Sequence, residues 1–161
     1  MSLLLIVYDS RSGNTEKMAH AVVEGAKTVE NITVTLKNVD DARIEDLLEA
    51  DGFIIGSPTY YGLLSDKIKA FIDKSVKLHG KLEGKIGAAF TSSGGVASGA
   101  ETTIISIIQA LLVHGMIVQG RSSGNHYGAA AVGAPDEKEL ESCRDLGSRT
   151  AKLVLRCKDA D

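Results

Sequence analysis

The 161 residues are 43% hydrophobic and 24% charged, with a formal net charge of -3, the balance of one globular domain with a substantial core. The slight acidity argues against nucleic acid or an anionic membrane surface as the main partner, and no apolar run is long enough to cross a bilayer. The first residues are strand-like, with no basic n-region or cleavage signature, so no export signal is expected and a cytoplasmic location is.

In chain order, a strand is predicted over Leu3–Tyr8. The run Ser10-Arg11-Ser12-Gly13-Asn14-Thr15 follows, where that strand hands over to a helix with Met18, Ala19, Val22 and Ala26 on one face. Further strands are predicted over Ile32–Leu36, Gly52–Gly56, Ile86–Thr91 and Met116–Gln119. Several are continuous apolar runs, as strands buried on both faces of a parallel sheet must be. Between them lie a short helix over Ile44–Leu48, a helix carrying Leu64, Ile68, Phe71 and Ile72, and an apolar helix from Thr102 to His114. A last helix follows Pro135 and carries Leu140, Cys143, Gly147, Ala151 and Val154. Cys143 and Cys157 fall on this last pattern about 21 Å apart along its axis, too far to bridge. They read as buried thiols in a reducing compartment, and no His or Cys spacing suggests a metal site. The glycine-rich stretches Ser92–Gly99 and Gly120–Gly133 read as loops. Strict alternation of five strands and five helices predicts a single α/β domain over residues 1–161, a doubly wound five-stranded parallel sheet with helices on both faces. No G-x-G-x-x-G follows the first strand, so the order 2-1-3-4-5 is favoured over a dinucleotide-binding sheet.

In that order the loops after strands 1, 3 and 4 meet beyond the carboxyl ends of the strands. The first, Ser10–Thr15, offers hydroxyls and helix-start amides to a phosphate, or is a capped turn built from good N-cap residues. It has no Lys-Ser/Thr pair, so it is not a Walker A loop. Arg11 is its one cation and points either to solvent or to a second ligand. The second, Ser57-Pro58-Thr59-Tyr60-Tyr61-Gly62, places aromatics on a rigid turn, either to stack on a flat ring or as half-buried loop tyrosines. The third runs from Thr91 through Ser92, Ser93, Gly94, Gly95, Val96 and Ala97 to Gly99. It lets backbone approach a ring edge closely, or is a flexible loop, and it has no aromatic residue. A phospho-acceptor receiver is excluded, because strand 3 ends in Gly56-Ser57-Pro58 rather than an aspartate and strand 5 is followed by Gly120-Arg121 rather than a lysine.

With these loops stand Gly84-Lys85 to Ser93-Gly94, Glu101-Thr102-Thr103-Ile104, His114-Gly115-Met116 and, more weakly, Tyr127-Gly128-Ala129. Through them the chain resembles the flavodoxin-like FMN proteins over nearly its whole length, and most closely the WrbA-type NAD(P)H:quinone oxidoreductases. The resemblance implies FMN held by its phosphate on Ser10, Arg11, Ser12, Gly13, Asn14 and Thr15. It implies Thr59, Tyr60 and Tyr61 bordering the ring, and Ser92, Ser93, Gly94, Gly95, Val96 and Ala97 meeting it through backbone groups. His114 matches a family histidine near the flavin, contributed there by a neighbouring subunit; read alone, it is a helix C-terminal histidine favoured by the dipole. The implied function is oxidation of NAD(P)H with electrons passed to a quinone-like acceptor, in a homodimer or homotetramer. Two alternatives stay open: an electron-carrying flavodoxin serving a redox protein, and a non-redox FMN-binding sensor or oligomer. The chain departs from the enzymes in lacking their insertion before the third strand and their tryptophan before the fourth.

Overall fold

A computed structural model describes residues 1–158. Strand β1 (Ser2–Tyr8) is followed by α1 (Asn14–Lys27), β2 (Ile32–Asn38), α2 (Glu45–Glu49), β3 (Gly52–Tyr60), a short β4 (Leu63–Leu64) and α3 (Asp66–Lys74). Then come a 3-10 turn (Ser75–Leu78), β5 (Ile86–Ser93), α4 (Ala100–Val113), β6 (Ile117–Val118), β7 (Ala129–Val132) and α5 (Glu137–Lys158). The sheet order is β2-β1-β3-β5-β6, which is the expected 2-1-3-4-5 winding once the β4 arm is set aside. All pairs along it are parallel.

The central strands are buried on both faces, so their residues divide by parity. Leu4, Ile6, Tyr8, Ile54, Ala88 and Phe90 join the core under α1 and α5. Leu5, Val7, Phe53, Ile55 and Ala89 join the core that includes Leu47, Ile68, Phe71, Ile104 and Ile107 of α2, α3 and α4. β2 lies at the sheet edge and its residues are only half-buried or exposed.

Two expectations need correction. The fifth strand over Met116–Gln119 shrinks to Ile117–Val118, which pairs only with Ile86 and Gly87. The rest of that sheet position is filled by β7, which pairs with Phe90–Ser93 and lies inside the Gly120–Gly133 stretch read as loop. The chain leaves the sheet and re-enters where Gly128 lies against the Ala89 carbonyl, a place a Cβ would fill. Ala-Ala-Ala has little strand propensity by itself, so only the empty edge of β5 makes it a strand. Leu64, read as helical, belongs to β4, which pairs with Thr59 and Tyr60.

α1 and α5 touch backbone to backbone. A Cβ on Gly25 would overlap the Arg144 carbonyl, and one on Gly147 the Val22 carbonyl. Cys143 is buried in this seam as expected, but Cys157, also expected to be buried, lies in the last turn of α5 and is only half-buried; both are free. Burial pushes the Cys143 thiol up to about 12, so it is inert at neutral pH.

Lys85 shows how a long side chain replaces a missing cap. Its Nζ donates to the carbonyls of Leu47, Leu48 and Ala50 at 3.0, 2.6 and 2.6 Å, closing the C-terminus of a helix only five residues long. A cation there also meets the negative end of the helix dipole. Lys85→Met keeps the stem and removes the charge and donors. It is expected to cost about 1–3 kcal/mol, the usual worth of charge-assisted bonds, and urea unfolding measures it. No helix among the described residues is long and apolar enough to cross a membrane.

Candidate functional site

The winding brings the loops after β1, β3 and β5 to one edge of the sheet. The first is closed on itself by Ser10, whose Oγ accepts from the amides of Gly13 (3.1 Å) and Glu16 (3.2 Å). Gly13 sits at φ 91°, a left-handed position that favours glycine. A Cβ there meets nothing within 4 Å, so the turn faces open space. Among the described residues the amides of Ser12, Asn14 and Thr15 have no acceptor. Three amides at the start of a 14-residue helix make a positive concavity sized for an oxyanion. The Thr15 side chain turns inward. It is 1% exposed, and its Oγ1 lies 2.8 Å from Ser92 Oγ. These two buried hydroxyls tie the first loop to the end of β5. Ser93 is buried too, donating to the Gly95 carbonyl at 3.1 Å.

The second loop is held from below. Thr91 Oγ1 donates to the Ser57 carbonyl at 2.6 Å and lies 2.9 Å from Thr59 Oγ1. Ser57 Oγ accepts from the Ser65 amide at 2.8 Å. Above these anchors Tyr60 is 37% exposed, and Tyr61, at φ 49°, is wholly exposed. A tyrosine in the left-handed region costs backbone energy, and here it presents an entire aromatic face to solvent.

Thr102 and Gly99, whose role the sequence reading missed, fix this turn. Thr102 Oγ1 lies 2.6 Å from the Gly62 carbonyl, to which it donates. Gly99 (φ 105°) comes so close to Gly62 that any Cβ would strike its backbone. The only available signal was the Ser-Gly-Ala-Glu-Thr-Thr helix start, which does not reveal a partner 40 positions away. Asp9 was missed as well: it is buried, directly precedes the first loop, and donates its amide to Gly56.

The third loop is open. Ser98 Oγ donates to the Gly95 carbonyl, Ala97 is left-handed at φ 54°, and Val96 is 87% exposed. Around this edge Tyr60, Tyr61, Leu63 and Val96 are exposed apolar side chains, and the acids Glu16, Asp66 and Glu101 are exposed in the first turns of α1, α3 and α4.

His114 does not join the other predicted residues. It caps the far end of α4, and Gly115 next to it accepts from the Gly84 amide just before β5. The 14 residues of α4 separate it from Gly99, about 22 Å, so within one chain it lies at the opposite edge of the sheet. Its Nε2 is 2.8 Å from Ser75 Oγ, which donates to the Ile72 carbonyl at 2.6 Å. The serine proton is thus committed, Nε2 is the donor, and Nδ1 is buried without a partner among the described residues. Burial, and then the neighbouring His79 ring 6.1 Å away, lower its proton affinity. The sign follows. Below the ordinary histidine value of 6.5, the unfolded chain takes up a proton that folded His114 refuses. Its contribution to stability is therefore full above that pH and lost as the pH falls below it. Between pH 7 and pH 5 the melting temperature of His114→Gln is expected to fall less steeply than that of the parent; parallel curves would remove His114 from the effect.

The Flavodoxin family profile matches residues 6–114. The chain is 46% identical to a flavodoxin of Aquifex aeolicus, over 96% of this chain and 88% of that one. It is 34% identical to an NAD(P)H dehydrogenase (quinone) of Archaeoglobus fulgidus, over 96% of this chain and 98% of that one. Its fold superposes on a WrbA-like flavodoxin of Agrobacterium tumefaciens with a TM-score of 0.83, at 31% identity, covering 97% and 99% of the two chains.

Proposed function

The chain belongs to the flavodoxin family, and from that premise we propose that it is an FMN-dependent oxidoreductase, taking electrons from NAD(P)H and passing them to a quinone-like acceptor. The cradle suits FMN on its own chemistry: three partnerless amides at a helix start, opened by a left-handed glycine, match a phosphomonoester. An exposed aromatic turn beside a glycine-rich loop matches a flat ring with a polar edge. When bound, FMN accepts and releases electrons, and the chain supplies anchoring, ring contacts and access.

The observation that carries the enzyme reading is the rim. Tyr60, Tyr61, Leu63 and Val96 are exposed and uncharged, and the third loop offers no aromatic cover. In this reading one ring face stays open to a planar, apolar acceptor. In the same reading a homodimer or homotetramer brings His114 to a ring only across a subunit boundary. Arg11, exposed beside the cradle, then faces solvent or a second anionic ligand. The second reading, a flavodoxin that carries electrons to a redox protein, is favoured by the 46% identity to a protein of that name.

One measurement separates them. The FMN-loaded protein is mixed anaerobically with NADH or NADPH, and flavin absorbance is followed. Rapid bleaching, restored by benzoquinone, is the expected result. Reduction by dithionite but by neither nucleotide would leave only the carrier.

A further inference from the structure

We propose that the groove between the turn after β2 and helix α3 receives the adenosine-phosphate half of the nicotinamide nucleotide; this rests on the NAD(P)H reading above. The chain is acidic overall, at -3, yet this groove gathers Arg43, Lys67, Lys74 and Lys77. Lys67 is occupied, paired with Asp40 at 2.5 Å. Arg43, Lys74 and Lys77 have no ion-pair partner among the described residues, and Glu45 is the one other acid on the lining. Three free cations against one carboxylate is a phosphate-seeking arrangement.

The groove is open on one side and offers about 460 Å³, within the range of small-molecule sites. Val39, Ile44 and Phe71 give it an apolar floor on which a base can lie. Its position suits the donor. Helix α3 starts at the flavin edge, because its cap residue Ser65 is held by Ser57 directly under the aromatic turn. The Lys67–Asp40 pair forms the upper lip, in the first turn of that helix. Lys74 lies seven residues further on, about 10.5 Å down the axis. A dinucleotide with its nicotinamide over the ring at Tyr60 has a cationic track running away from it along α3.

Adenosine diphosphate is titrated calorimetrically into the FMN-loaded protein at low salt, for the parent and for Lys74→Gln/Lys77→Gln. Both lysines are exposed, so the fold is retained. The parent is expected to bind, and the double variant to bind about tenfold more weakly, as expected for loss of two charge-assisted contacts. The KM for the nucleotide should rise by a similar factor, with kcat and the KM for benzoquinone unchanged. Failure of the parent to bind the diphosphate, or equal binding by both proteins, overturns the groove even if NAD(P)H bleaches the flavin. Binding of polyglutamate but not of the diphosphate, lost in the variant, overturns it in favour of an acidic protein partner. If neither nucleotide reduces the flavin, the functional reading falls, and the diphosphate titration alone then decides the groove.

Discussion

Ser12→Asp is expected to weaken FMN binding by about 2–4 kcal/mol, roughly 30- to 900-fold in Kd, while the apoprotein keeps the stability of its parent. Ser12 is exposed on the turn that Ser10 closes, so the substitution breaks no described contact of the fold. It does place an anion beside amides that otherwise have only a phosphate to bind. Two unit charges 4 Å apart interact by about 4 kcal/mol at an effective dielectric near 20, and the phosphate carries more than one charge. Ser12→Ala is the control, losing a donor without adding charge, and should cost far less. Titration of apoprotein with FMN, read by quenching of flavin fluorescence, measures both. Unchanged affinity for the aspartate variant would remove this loop from the site.

The largest effect on stability is expected at the seam of α1 and α5. Gly25→Ala and Gly147→Ala each raise helix propensity, which alone would stabilise by roughly 1 kcal/mol. Here the added methyl is driven into a backbone carbonyl, of Arg144 in one case and of Val22 in the other. A flexible side chain would yield, but two packed helices must separate. Each substitution is therefore expected to destabilise by about 3 kcal/mol, the upper end of overpacking costs. For a chain of this size that lowers the melting temperature by roughly 6–12 °C. Calorimetry checks it, and a neutral or stabilising result at both positions would mean that the helices are not in backbone contact.

These two predictions draw on different kinds of legibility. The turn after β1 was readable because its pattern is local: six consecutive residues, a strand before and a helix after. The seam was half readable. Gly147 stood on the expected apolar face of the last helix, but its partner Gly25 is far away in sequence. The same division runs through the site. Tyr60 and Tyr61 announced themselves as aromatics on a turn, yet their clamp, Thr102 on Gly62, joins residues that no pattern links. The hydroxyls of Thr15 and Ser92 hold each other across 77 positions, because a buried hydroxyl must find a partner and the nearest one lies across the sheet. Lys85 was an ordinary lysine in sequence and became the cap of α2. His114 matched a motif, but α4 carries it to the other edge.

The amino-acid sequence by itself determined the alternation of strands and helices, the winding order and the meeting of three loops at one edge of the sheet. Periodicity, burial and turn chemistry are all short-range signals that each segment carries alone. The tertiary structure decided which donors stay free, which tyrosine stands in solvent, where the fifth strand is broken and re-entered, and which end of the sheet holds His114. Those are properties of pairs, and a pair exists only once folding has brought distant residues within hydrogen-bonding or van der Waals reach. The run Ala129–Val132 illustrates it: four small residues with little preference of their own become a strand because β5 leaves an edge unpaired.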